Sequence, residues 1–160
     1  MEISEKSRVW IYQADRAFNA AEEARIAQMM NDFTSQWAAH GHKLAAYSEI
    51  RYQRFIILMV DEQQAGATGC SIDKSVQLMK EIEQEFNVNL FDRFNIAYKK
   101  DGKVLSCGRT EFEQMIEDGE INGDLIVFNN LVQTKQELDT NWEIPVSKSW
   151  HARIFSVPTA

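Results

Sequence analysis

Cys70 is the side chain with the most reactive chemistry to offer, and its neighbours decide what that chemistry is. It follows Gly69 and precedes Ser71 and Asp73, where a small-residue loop, residues 63–69, runs into an amphipathic stretch. A thiol at a helix N-terminus has its thiolate favoured by the helix dipole, which makes Cys70 a candidate nucleophile or redox centre. His151 or His40 would act as base if the fold brought either imidazole close. Asp73 opposes this activation by adding negative charge at the same helix end. The same residues support a second reading. Backbone amides converging on a helix start form a cradle for a small anionic ligand, with Gly69, Cys70, Ser71 and Asp73 around it. Beside both stands a plainer role, in which Ser71 and Asp73 cap the helix and Cys70 fills space.

Other chemistry is thin. His40 and His42, one residue apart, give half a metal site, and no Cys/His/carboxylate cluster completes it, so neither a metal nor a cofactor is expected. The net charge of −7 argues against non-specific nucleic-acid binding, which depends on Lys and Arg neutralising phosphates. No apolar leader opens the chain at Met1-Glu2-Ile3, and no apolar run reaches membrane-spanning length. Cys70 and Cys107 do not make a disulfide framework, which places the expectation in a reducing, cytoplasmic compartment.

The elements that must position these residues follow from periodicity. Residues 8–12, Arg-Val-Trp-Ile-Tyr, read as a strand. Asn19 and Glu22 form a capping box for a helix with Ile26, Met29, Met30, Phe33 and Trp37 on one face. Gly41 is placed to end that helix, which puts His40 in its last turn. Residues 46–52 and 54–60 are the second and third strands, joined near Tyr52-Gln53 without the Asn-Gly chemistry of tight hairpins. A second helix turns Ile72, Val76, Met79, Ile82 and Phe86 inward, and residues 93–99 alternate as a fourth strand before the turn at Lys100-Asp101-Gly102-Lys103.

The order β-α-β-β-α-β predicts an α+β fold: a ferredoxin-like domain over residues 1–100 and a small α+β extension over 101–160. In the extension, Thr110 with Glu113 caps a helix ended by Gly119. A strand lies within 124–132, and Thr134 with Glu137 caps a short helix. The third strand is apolar on both faces, while helices cover only one face of such a sheet. The extension or a second copy of the chain in a homodimer must therefore cover the other.

Five stretches (residues 7–16, 66–73, 90–93, 127–132 and 149–153) carry a resemblance to a family of short, uncharacterised bacterial proteins often labelled "ABC transporter ATPase". The label implies nucleotide hydrolysis. A phosphate-binding loop of that kind needs Lys and Ser or Thr directly after its last Gly, whereas Gly69 is followed by Cys70-Ser71, and Lys74-Ser75 falls inside the helix. Residues 111–128 are similar to the helix-plus-strand core of GYF-type modules, which implies protein interaction; the Gly-Tyr-Phe tripeptide itself is absent. The expectation is a non-catalytic cytoplasmic protein that binds a small molecule or a protein, with the anionic-ligand site at residues 66–73. An enzyme using Cys70 and the labelled ATPase are the alternatives.

Overall fold

The structure is a computed structural model that describes residues 3–63 and 65–157. Met1 and Glu2, at the start of the segment read for a leader, and Gln64 of the small-residue loop lie outside the described residues.

Strand β1 (Arg8–Gln13) opens the fold and α1 (Ala20–Gln36) follows it. Asn19 accepts from the Glu22 amide while the Glu22 carboxylate accepts from the Asn19 amide, the reciprocal box that the spacing predicts. The helix does not run to Gly41. Trp37 leaves it in an extended conformation, buries its ring and donates its indole N–H to the Ser71 carbonyl at 2.8 Å. His40 (φ 51°) and Gly41 (φ 78°) instead turn the small hairpin of β2 (Ala38–Ala39) and β3 (His42–Lys43). His40 is therefore exposed on a hairpin, not held at a helix end.

β4 (Ala45–Arg51) and β5 (Phe55–Asp61) form an antiparallel hairpin, and β5 also pairs antiparallel with β1, giving the order β1-β5-β4. α2 (Gly69–Phe86) lies with α1 on one face of this sheet, over Tyr12, Ile56, Leu58 and Val60.

The remaining elements build a second sheet. β6 (Ile96–Lys100) turns through Asp101 (φ 53°) and Gly102 (φ 77°) into β7 (Lys103–Cys107), an Asp-Gly hairpin turn with both residues left-handed. After α3 (Arg109–Glu117) come β8 (Ile126–Phe128), α4 (Lys135–Asn141) and β9 (Glu143–Pro145), with sheet order β7-β6-β8-β9. Two 3-10 turns, Val146–Lys148 and Trp150–Arg153, complete the described chain. Two caps fall as the spacing predicts: Thr134 accepts from the Glu137 amide, and Gly119 takes φ 74° after α3. Thr110 does not cap α3. Gly108 stands at that position, without a side-chain bond, and Thr110 is already helical.

The architecture is α+β. In the ferredoxin-like order a fourth strand would lie beside β1. The segment expected there, now β6, pairs with β7 and β8, so the first sheet has three strands among the described residues. The cause is local. The Asp15 amide donates to the Asn89 carbonyl at 3.2 Å and the Gln13 side chain donates to the Asn95 carbonyl at 2.7 Å. These bonds carry residues 89–95 across the end of β1 instead of along its edge.

The second face of the first sheet is covered by the same chain. Val9, Phe55, Ile57 and Met59 pack on Ala97, Phe128, Val132, Leu138 and Trp142. Phe55, Phe128 and Trp142 form a triangle of rings with centroids 4.7–4.9 Å apart. Each of Phe55 to Val60 is at most 3% exposed, which is why this strand reads as an unbroken apolar run.

Candidate functional site

The structure gathers Gly69, Cys70, Ser71 and Asp73 into the first turn of α2, where the polar groups of Ser71 are spent on the helix cap and on Trp37. The Ser71 amide donates to Thr68 Oγ1 at 3.3 Å, and the Thr68 amide donates to Ser71 Oγ at 2.7 Å. The Ser71 carbonyl takes the Trp37 indole N–H. Ahead of the helix, the Glu62 carboxylate accepts from the Ala67 amide at 2.8 Å, so the chain supplies its own anion to the loop. Cys70 and Asp73 are exposed. Among the described residues no hydrogen bond or ring contact joins Cys70 to His151 or His40. His151 lies in the last 3-10 turn, bonded to Ser149 and stacked on Trp150.

A different set of residues forms a groove of about 540 Å³ at the exposed end of β1. Its floor is Ile11 to Gln13; its walls are residues 90–95 and, from later in the chain, Phe128, Asn130 and Leu131 with Trp150, His151 and Ile154. Three side-chain turns hold the walls. Asn89 Oδ1 accepts from the Phe91 amide at 3.0 Å, Asp92 Oδ1 from the Phe94 amide at 2.9 Å, and Asn129 Oδ1 from the Leu131 amide at 3.2 Å. Each turn fixes the backbone of an apolar residue left outside the core. Phe91, Phe94, Leu131 and Ile154 are 41%, 54%, 65% and 43% exposed, and these four, of the six large hydrophobic residues exposed among the described residues, line this one groove. Such clustering is what separates a recognition surface from scattered surface hydrophobics.

A chain of amides ties floor to walls. Gln13 Nε2 donates to Asn95, Asn130 Nδ2 donates to Gln13 Oε1 at 2.8 Å, and the Trp142 indole N–H donates to Asn130 Oδ1 at 2.9 Å. The groove is thereby anchored to the ring triangle at the centre of the molecule.

Trp150 and His151 also line the groove. Ser149 Oγ lies 2.9 Å from the Val146 carbonyl oxygen and 2.9 Å from His151 Nδ1. Burial pushes His151 down to about 4, so it stays uncharged at neutral pH. The Trp150 indole N–H is buried and unpaired, and its ring stacks on His151 with centroids 3.9 Å apart. The groove's lining combines apolar side chains with the polar Asp92, Arg93, Asn95 and Asn130, a common make-up of a binding site.

Sequence reasoning missed this groove because its walls come from segments up to about sixty residues apart. The local pattern its walls share is an Asn or Asp two residues before a large apolar residue, Asn89/Phe91, Asp92/Phe94 and Asn129/Leu131, a spacing that also occurs away from the groove at Asn31/Phe33 and Asp124/Ile126. No group of three or more His, Cys, Asp or Glu among the described residues is arranged to hold a metal ion, and no described helix is long and apolar enough to cross a membrane. No family model, curated protein or solved structure matches the chain.

Proposed function

We propose that this chain is a non-catalytic binding protein, and that its recognition surface is the groove at the end of β1 instead of the first turn of α2. The observation that carries this is the convergence of the exposed side chains of Phe91, Phe94, Leu131 and Ile154 on one groove. Four of the five stretches that carry the family resemblance contribute to its floor or walls, through Ile11, Phe91, Leu131 and His151. The strand that the ferredoxin-like reading sets beside β1 pairs in the second sheet. That leaves the outer edge of β1 beyond Val9 without a strand partner among the described residues. The two cysteines, both unpaired thiols, fit a reducing cytoplasmic setting.

Anilinonaphthalene sulfonate tests the assignment, because it carries both an apolar body for the groove and an anionic group for the α2 loop. Saturable fluorescence enhancement is expected with the full chain. Leu131→Asp should weaken it at least about tenfold, the cost of placing a charge on a buried apolar contact. Cys70→Ala and Asp73→Asn should leave it unchanged. Binding that ignores Leu131→Asp but falls with Asp73→Asn would return the site to the helix start.

A further inference from the structure

The outer edge of β1 is only partly paired. The Val9 amide donates to the Gln133 carbonyl at 3.0 Å and the Lys135 amide donates to the Ser7 carbonyl at 2.9 Å, around an antiparallel bridge between Arg8 and Thr134. These bonds show that odd-numbered residues of β1 direct their backbone groups away from β5. The next ones are Ile11 and Gln13. Their N–H groups have no partner among the described residues, because the chain opposite turns away: the Val132 amide bonds back to the Asn129 carbonyl at 3.4 Å. A second cavity of about 450 Å³ opens where residues 130–134 diverge from the strand.

The other edges of the two larger sheets carry guards. β4 presents Glu49 and Arg51, paired with each other at 2.7 Å; β7 begins with Lys103; β9 is three residues long and ends in Pro145. The free stretch of β1 has Trp10, Ile11 and Tyr12 at its centre, with no charge among them. Unpaired ladder groups on an apolar edge, at the floor of an apolar groove, specify one kind of occupant.

We propose that the groove binds an extended peptide, which adds to β1 as an antiparallel strand opposite Ile11 and Gln13. The inference rests on the groove being the recognition surface. The bonds at Val9 and Lys135 set the direction, since the chain's own segment already begins an antiparallel ladder on this edge. A peptide residue opposite Ile11 exchanges two backbone bonds with it. Its side chain falls on the side of the sheet where Ile11 packs, toward Leu131 and the Trp150–His151 pair. Residues one step away fall on the side of Tyr12, whose ring meets Phe91 at 5.7 Å. The peptide expected is therefore apolar at consecutive positions, with backbone amides supplying affinity and the two walls selecting side chains.

The test pans a displayed library of random dodecapeptides against the full chain, with Leu131→Asp and Phe94→Asp as counter-selection. Both positions are more than half exposed, so both variants should fold. Peptides enriched on the parent chain alone are expected to slow hydrogen exchange at the Ile11 and Gln13 amides at least about tenfold. N-methylation of the peptide residue facing Ile11 should weaken binding about tenfold. Enriched peptides that leave both amides exchanging as in the free protein would overturn strand addition while the groove stands. Dye binding at the groove with no peptide enriched would overturn the peptide as occupant. Loss of both would overturn the groove itself.

Discussion

The Val9 amide bonds to the Gln133 carbonyl at 3.0 Å, and beyond that bond the outer edge of β1 has no further partner among the described residues. The fold explains why. The segment that would have been a fourth strand is drawn off by the Asp101-Gly102 hairpin and by bonds at Asp15 and Gln13. The second sheet then covers one face of the first while leaving its edge open. Core and groove are two results of one rerouting.

Trp142 is the link between them, 1% exposed, packed against Phe55 and Phe128 and bonded to Asn130. Trp142→Ala removes a buried indole from a closed ring triangle and should cost about 3–5 kcal/mol. Urea unfolding followed by circular dichroism and by Tyr or Trp fluorescence should show one coincident transition at lower midpoint. Separate transitions for the two probes would mean that the two sheets do not share a core.

The thiols should divide sharply. Burial, helped by Glu111, pushes the Cys107 thiol up to about 11, whereas Cys70 is exposed. A colorimetric thiol reagent at neutral pH should therefore titrate one cysteine in the native chain and two in denaturant, with Cys70→Ala abolishing the native signal. A native count of two would contradict the burial of Cys107.

His151 should make stability depend on pH. Its folded value of about 4 lies below the ordinary 6.5, so the unfolded chain takes up the proton first as pH falls. The stabilisation is present above about 6.5 and is lost progressively toward about 4, on the order of 3 kcal/mol across the window. Glu22, held down at about 2 chiefly by its bond from Arg16, adds its own loss only below the ordinary carboxylate range. The urea midpoint should therefore fall between pH 6.5 and 4.5, and His151→Asn, which keeps a polar group toward Ser149, should flatten that fall. An unchanged slope would remove His151 from the groove's buried wall.

Thr68 and Ser71 serve the helix. Thr68→Ala breaks the box at the start of α2 and should cost about 1 kcal/mol in thermal or urea unfolding. Dye affinity should not change. A fall in affinity without a fall in stability would give these residues a ligand.

The sequence made the helices and the buried strand legible because each carries its own signal: the Asn19/Glu22 box, the Thr134/Glu137 pair, the unbroken run from Phe55 to Val60. It failed where tertiary contacts outvote local preference. Tyr52 and Gln53 both take positive φ without being Gly or Asn. The Tyr52 ring lies on Phe128 and Trp142, and its hydroxyl donates to Glu143 at 2.8 Å, contacts that no local pattern announces. Gly41 had two uses open to it, and the burial of Trp37 chose the hairpin over the helix end. Asp101-Gly102 carries its own turn signal, but Val104 and Leu105 are too short an apolar pair to announce β7, the strand that draws β6 into the second sheet. The groove was illegible for the same reason: its walls meet only once both sheets exist.

The central claim is that ligands enter beside Ile11, not at Cys70. Resonance mapping of the isotope-labelled full chain during titration with anilinonaphthalene sulfonate tests it most directly. Amide shifts are predicted to cluster on Ile11, Phe91, Phe94, Leu131 and His151, with Gly69, Cys70 and Ser71 unmoved. Shifts confined to the start of α2, with the groove silent, would contradict the account.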